Sequence, residues 1–251
     1  MKKLIRTAIN ALGYDLIRHQ ESSKDSYAVD ISADDRDILN RVAAYTMTGI
    51  ERQITLVQAV RYLVRSGVQG CFVECGVWKG GSSMACAFTL LQEGDTSRHL
   101  YLFDTFEGMT PPQEVDRTFD GQDAARLLEK DRRRTGPIWC LADIDEVQAN
   151  MAATQYPQQN VHCVKGPVED TLPAHLPSAP IALLRLDTDW YESTRHELIH
   201  LFPLLCKGGV LIVDDYGQWA GAKRAVDEYL AELPMRYFLQ RIDYTGRLLI
   251  K

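Results

Sequence analysis

Apolar and polar positions along this chain change period several times, and the changes mark its elements. From residue 67 onward, short apolar runs alternate with stretches of helical spacing. The runs are CFVECGVW (71–78), HLYLFDTF (99–106), VHCVKGP (161–167), PIALLRLDTD (180–189) and GGVLIVDDY (208–216). Each has strand length and lacks strict alternation, as expected of strands in a parallel sheet covered on both faces. Between them GGSSMACAFTLLQ (80–92), DIDEVQANMAAT (143–154), residues 193–206 and AGAKRAVDEYLAEL (220–233) predict helices. The segments RYFLQRIDY and RLLIK, joined around Thr245-Gly246, predict a closing hairpin. Five β–α units and a hairpin make an α/β fold with a seven-stranded doubly wound sheet.

The first quarter of the chain reads differently. Residues 35–66 predict a helical stretch, with Leu56, Val60 and Leu63 on one face. The polar run QESSKDSYAVDISADDR (20–36) predicts a linker. Before it, Ile5, Ile9, Leu12 and Leu16 recur at helical spacing among Lys2, Lys3 and Arg6. This amphipathic helix is expected to pack on the body or on a second subunit; the sharper alternative is peripheral contact with an anionic membrane. The expected division is an N-terminal helical extension, 1–66, and a catalytic domain, 67–251. Within the latter, 107–142 is too long for a plain connection and predicts a lid or substrate insertion.

Composition narrows the function classes. A net charge of −6 argues against a nucleic-acid binder. The six cysteines form no CxxC pair, and most sit in apolar runs, so reduced thiols in a cytoplasmic protein are expected. No apolar run reaches membrane-spanning length.

The candidate chemistry gathers at the carboxyl ends of the strand-like runs, where open α/β sheets bind ligands. Glu74 and Gly76 close the first, Asp104 the second, Asp187 and Asp189 the fourth, and Asp214 and Asp215 the fifth. With the fourth and fifth strands as neighbours, four acids converge on one rim. Such a cluster calls for a cation, and an all-oxygen donor set favours Mg²⁺, Mn²⁺ or Ca²⁺ over zinc. The turn ECGVWKGGS lacks the spacing of a dinucleotide fingerprint. It offers an acid, glycines and the Ser82 and Ser83 hydroxyls, which suit a zwitterionic ligand, while Asp104 suits the hydroxyls of a ribose. Amino acid plus ribose suggests S-adenosylmethionine. HELIH (196–200) matches the zinc-protease pattern H-E-x-x-H. Its histidines point away from the apolar face of Leu198, Leu201, Phe202 and Leu205, so a solvated helix face is expected instead.

Six blocks in unbroken order, YTMTGIER, FVECGVWKGGSS, YLFDTFEGM, VHCVKGPVEDTLP, LLRLDTDWYEST and GGVLIVDDYGQWAGAKRAVDEY, resemble the TylF/MycF family of macrocin-type sugar O-methyltransferases. The resemblance implies a class I (Rossmann-like) methyltransferase fold, S-adenosylmethionine as donor and a divalent ion, Mg²⁺ or Mn²⁺. By the same resemblance Asp187, Asp214 and Asp215 are the expected metal ligands and Asp189 the catalytic base. Glu74, Gly76, Trp78, Ser82, Asp104, Thr105 and Phe106 are expected at the cofactor, with its adenine near Asp143, Gly166 and Val168. The implied acceptor is a sugar on a natural product or a cell-surface glycan, and the implied assembly a homo-oligomer. Gly49 stands where a serine is expected, and Trp190 is bulky for its position. A catechol-like acceptor, or a metal-dependent hydroxylase or hydrolase, would use the same acids.

Overall fold

The structure is a computed structural model that describes residues 29–131, 133–134 and 136–251. Seven strands form one sheet: β1 (Cys71–Cys75), β2 (Leu100–Asp104), β3 (Val161–Lys165), β4 (Ile181–Leu186), β5 (Leu205–Val213), β6 (Gln240–Arg241) and β7 (Arg247–Ile250). Their order is β3-β2-β1-β4-β5-β7-β6. The first five run parallel, and β7 lies antiparallel to β5. Every residue of β1 and β4 is buried, which is why their sequences are apolar without alternation. Strand order reverses between β1 and β4, so a ligand crevice is expected above their carboxyl ends.

The helices are α1 (Ala33–Val42), α2 (Ile50–Arg65), α3 (Gly81–Gln92), α4 (Ala124–Lys130), α5 (Ile144–Ala153), α6 (Val168–Thr171), α7 (Tyr191–Leu201) and α8 (Ala220–Glu232). Asp143 caps α5 by accepting from Glu146 N at 2.8 Å. The main core joins the sheet to α7 and α8 through Leu184, Leu186, Leu198, Leu201, Leu211 and Val226. A second, smaller core gathers Ala124, Leu128 and Trp139 from the 107–142 insertion with Trp190, Trp219 and Ala222. There Trp190 meets Trp219 edge-on, with ring centroids 4.9 Å apart. The insertion is therefore a docked layer containing α4.

Several boundaries differ from the sequence reading. The stretch 35–66 is two helices, because YTMTG (45–49) leaves the helical path and lines the cavity described below. The helix expected over 193–206 is α7 followed by a 3-10 turn, Phe202–Leu204, and β5 begins already at Leu205. Ala33–Lys251 is one compact unit that includes α1, α2 and the sheet. The amphipathic stretch with Ile5, Ile9, Leu12 and Leu16 lies outside the described residues. Among the described residues no helix is long and apolar enough to cross a membrane. All six cysteines are free; Cys71, Cys75 and Cys86 are buried, whereas Cys140, Cys163 and Cys206 are half-buried.

Candidate active site

The strand ends are tied to one another before any ligand is considered. Gly76 N donates to Phe103 O, Asp187 N to Cys75 O and Asp214 N to Leu186 O, each at 2.9 Å. The turn after β1 thus crosses the turn after β4. At the crossing Gly76 has φ +81°, and a Cβ there would lie 2.1 Å from Asp187 O, so only glycine fits. Above the crossing lies a cavity of about 270 Å³, lined by both turns, by 45–48 and by the insertion. Three of the six non-glycine residues with positive φ among the described residues, Trp78, Cys140 and Asp189, line it. Strained backbone gathered at one cavity is a mark of function.

One oxygen each of Asp187, Asp214 and Asp215 can be chosen so that all lie within 4.8 Å of one another. Two arginines stand against them. Arg185, buried, donates through Nη1 to Glu74 Oε1 (2.6 Å) and Asp187 Oδ2 (2.7 Å), and through Nη2 to Asp214 Oδ1 (2.7 Å). Arg52 from α2 donates to Asp214 Oδ2 and, through Nε, to Asp243 Oδ2 at 3.0 Å. The cavity wall carries six carboxylates, Asp104, Glu169, Asp187, Asp189, Asp214 and Asp215, against these two guanidiniums. Burial, reinforced by neighbouring carboxylates, pushes Asp187 and Asp215 well above the usual carboxylate range, and burial pushes Asp189 up to about 7. Asp215 Oδ2 is buried without a hydrogen-bond partner.

The structure brings Gly76, Trp78, Ser82, Asp104, Thr105, Gly166, Val168, Asp187, Asp189, Asp214 and Asp215 together around the cavity. Glu74, Phe106 and Asp143 do not line it. Glu74 turns inward, its oxygens taken by Arg185 and Ser83 Oγ, so it braces Arg185. Phe106 is a buried packing residue, and Asp143 faces its own helix as a cap. Asp104 does more than the ribose role expected of it. Its Oδ2 accepts from Val77 N (2.6 Å) and Trp78 N (3.1 Å), and Oδ1 from Phe106 N (2.7 Å), so it shapes the turns on either side. Sequence reasoning missed Arg52 and Arg185. A cation inside LLRLDTD, in an otherwise apolar strand, was the available signal for Arg185. Arg52 had no such mark.

The insertion reaches this site through Asp116. The Asp116 carboxylate, fully buried, accepts from Gln113 N at 2.7 Å and from Tyr191 N at 2.8 Å. Trp190 precedes α7 without a side-chain cap of its own, so Asp116 satisfies the first N–H of that helix from outside. Trp190 Nε1 donates to Thr110 O at 2.9 Å, a second tie immediately after Asp189.

These residues suit a divalent cation and a zwitterionic cofactor. The donor set at the acids is all oxygen, and one buried oxygen lacks a partner. Gly76, Trp78 and Ser82 line the cavity wall beside the acids. HELIH holds no metal site: His196 Nε2 lies 3.1 Å from Leu172 O, and Glu197 is fully buried, which corrects the expectation of a solvated face.

Comparison with known proteins agrees with the geometry. Residues 4–251 match the family described as macrocin-O-methyltransferase (TylF). A tetracenomycin rhamnosyl 4'-O-methyltransferase of Streptomyces olivaceus is 35% identical over 203 residues, 81% of this chain and 74% of that protein. Demethyldecarbamoylnovobiocin O-methyltransferase of Streptomyces niveus is 34% identical over the same shares. The solved O-methyltransferase NovP is 28% identical with a TM-score of 0.71, over 99% of this chain and 97% of its own.

Proposed function

The chain belongs to the macrocin-O-methyltransferase (TylF) family and is an O-methyltransferase; from that premise we propose that it methylates a sugar hydroxyl, with S-adenosylmethionine as donor and Mg²⁺ or Mn²⁺ at the acids. The observation that supports this reading is the close approach of the Gly76 and Asp187 turns, which puts the glycine turn and the carboxylates of Asp187, Asp189, Asp214 and Asp215 on the wall of one cavity. One named relative acts on a rhamnosyl-tetracenomycin and another on demethyldecarbamoylnovobiocin, and this supports a sugar on a natural product as the acceptor here.

Asp187, Asp214 and Asp215 would hold the cation, which when bound supplies Lewis acidity and a template for vicinal hydroxyls. Gly76, Trp78 and Ser82 would seat the amino-acid end of the cofactor. Asp104, whose Oδ1 has only a long bond from Thr105 Oγ1 (3.4 Å) besides Phe106 N, keeps capacity for a ribose hydroxyl. Gly166 and Val168 would border the adenine. Asp189 would accept the proton from the acceptor hydroxyl, and the cofactor when bound would supply the methyl group. Arg185, pairing with Glu74, Asp187 and Asp214, holds the acids in place, so the chain contributes mainly orientation, worth roughly 7–11 kcal/mol in favourable systems.

The test is calorimetric titration of S-adenosylhomocysteine with and without Mg²⁺, followed by turnover of Asp189→Asn on a glycoside acceptor. Binding that strengthens with Mg²⁺, and turnover reduced about 10²–10⁴-fold with cofactor binding intact, support the reading. No binding under either condition removes the cofactor assignment, and normal turnover in Asp189→Asn removes the base.

A further inference from the structure

The acid of HELIH has no part in the chemistry above, yet it is one of the most deeply buried carboxyls in the protein. Glu197 is 0% exposed on α7, one turn from Thr194 and Leu201 and next to Leu198, all buried. Neither of its oxygens has a hydrogen-bond partner, and neither has the buried Oγ1 of Thr188, the residue between Asp187 and Asp189. The Thr188 hydroxyl and the Cys75 thiol are the polar groups beside the carboxyl. Burial first, and then the negative Glu169 and Asp187, hold Glu197 well above the usual carboxylate range. Its oxygens can accept from the Thr188 hydroxyl, and its protonated form can also donate.

Its position explains why such a group would be kept in a core. Cys75 O accepts from Asp187 N, so Cys75 and Thr188 flank the backbone bond that joins the two crossing turns. Buried polar atoms without a partner cost stability. Here three of them sit together beneath the acid turn. A methionine or leucine would fill the same space on an apolar helix face without that cost.

We propose that Glu197 is a positioning residue for the Asp187–Asp189 turn, hydrogen-bonding Thr188 Oγ1 from beneath as the turn closes on its ligands. What the turn is positioned for rests on the methyl-transfer reading; the positioning itself does not. A group that acts by donating and accepting is replaceable by glutamine and not by methionine.

The experiment compares Glu197→Met, Glu197→Gln and Thr188→Val in the full chain, with and without S-adenosylhomocysteine and Mn²⁺. Amide hydrogen exchange is read at Asp187 and Trp190, with the β4 and α8 amides as internal reference. Glu197→Met and Thr188→Val are expected to speed exchange at the turn about tenfold or more and to lower kcat about 10–100-fold, with reference amides unchanged. Glu197→Gln is expected to restore both. The proposal is overturned by unchanged exchange at the turn in Glu197→Met, by acceleration spread equally through the sheet, or by a glutamine variant as impaired as the methionine one. Thr188→Val keeps the test decisive should Glu197→Met fail to fold. If the turn responds as expected but the wild-type protein neither binds S-adenosylhomocysteine nor transfers a methyl group, the positioning stands and the methyl-transfer reading falls.

Discussion

The Asp116 contact can be tested through the glycine that makes room for it. A Cβ on Gly221 would lie 1.9 Å from Asp116 Oδ1 and 3.0 Å from Tyr191 N. Gly221 sits inside α8, where alanine would ordinarily stabilise a helix by about 1 kcal/mol. The collision reverses that sign: Gly221→Ala is expected to destabilise by about 1–3 kcal/mol, the usual cost of overpacking. Asp116→Ala removes two hydrogen bonds from backbone N–H to a carboxylate, each worth about 1.5–3 kcal/mol. Part of that is offset because the carboxylate no longer has to be buried, so a loss of about 2–4 kcal/mol is expected. In the double variant the nearest obstacle is gone, and only the 3.0 Å approach to Tyr191 N remains. Adding Gly221→Ala to Asp116→Ala should then cost close to nothing. The two losses should fall short of additivity by at least about 1 kcal/mol. Urea denaturation of the four proteins, followed by tryptophan fluorescence, measures this, since Trp139, Trp190 and Trp219 share the small core beneath the insertion. Losses that add to within about 0.5 kcal/mol would refute the close contact and, with it, the account of how the insertion is held to α7.

Two further outcomes follow from ion pairs. Arg52→Met releases Asp214 Oδ2 and removes a positive charge from the acid cluster, so Mn²⁺ affinity, read from the free-ion electron paramagnetic resonance signal, should rise several-fold; an affinity that falls would show that Arg52 orients Asp214 for the ion and does not compete with it. Glu93 pairs bidentately with Arg65 (2.7 and 2.8 Å) and also with Arg61, and the Arg65 hydrogen bonds hold its pKa below the ordinary value. The stability it contributes is therefore fully present above about pH 4.3 and lost as pH falls through the lower folded-state value. The melting-temperature gap between wild type and Glu93→Gln should shrink as pH is lowered from about 6 to about 3, and a constant gap would show that the pair does not stabilise the fold.

The periodicity of the chain revealed much of this architecture, and the reasons are physical. Strands buried on both faces must be apolar throughout, so β1, β4 and β5 stood out, and the acids that end them stood out against that background. Direction was harder to read. Glu74 and Asp104 both close strands, yet Glu74 turns inward to Arg185 while Asp104 turns toward the cavity and gathers backbone N–H groups. Nothing local distinguishes them, because the choice depends on what the neighbouring strand presents. The break at 45–49 was hidden because helical spacing resumes on both sides of it. The burial of Glu197 is legible in the spacing: it lies three and four residues from Thr194 and Leu201, on the buried stripe of the helix, while the flanking histidines lie to either side of that stripe.

The small aromatic core has a consequence for redesign. Trp190 is adjacent in sequence to Asp189, while its ring packs among residues of the insertion and the start of α8. Exchanging the 107–142 segment for that of a relative would therefore change the wall against which Trp190 rests, and so the backbone angle at the neighbouring residue. The insertion is not a detachable loop. Grafts that carry it together with positions 190, 219, 221 and 222 transplant a complete packing unit, whereas grafts of the loop alone leave its anchor in the wrong surroundings.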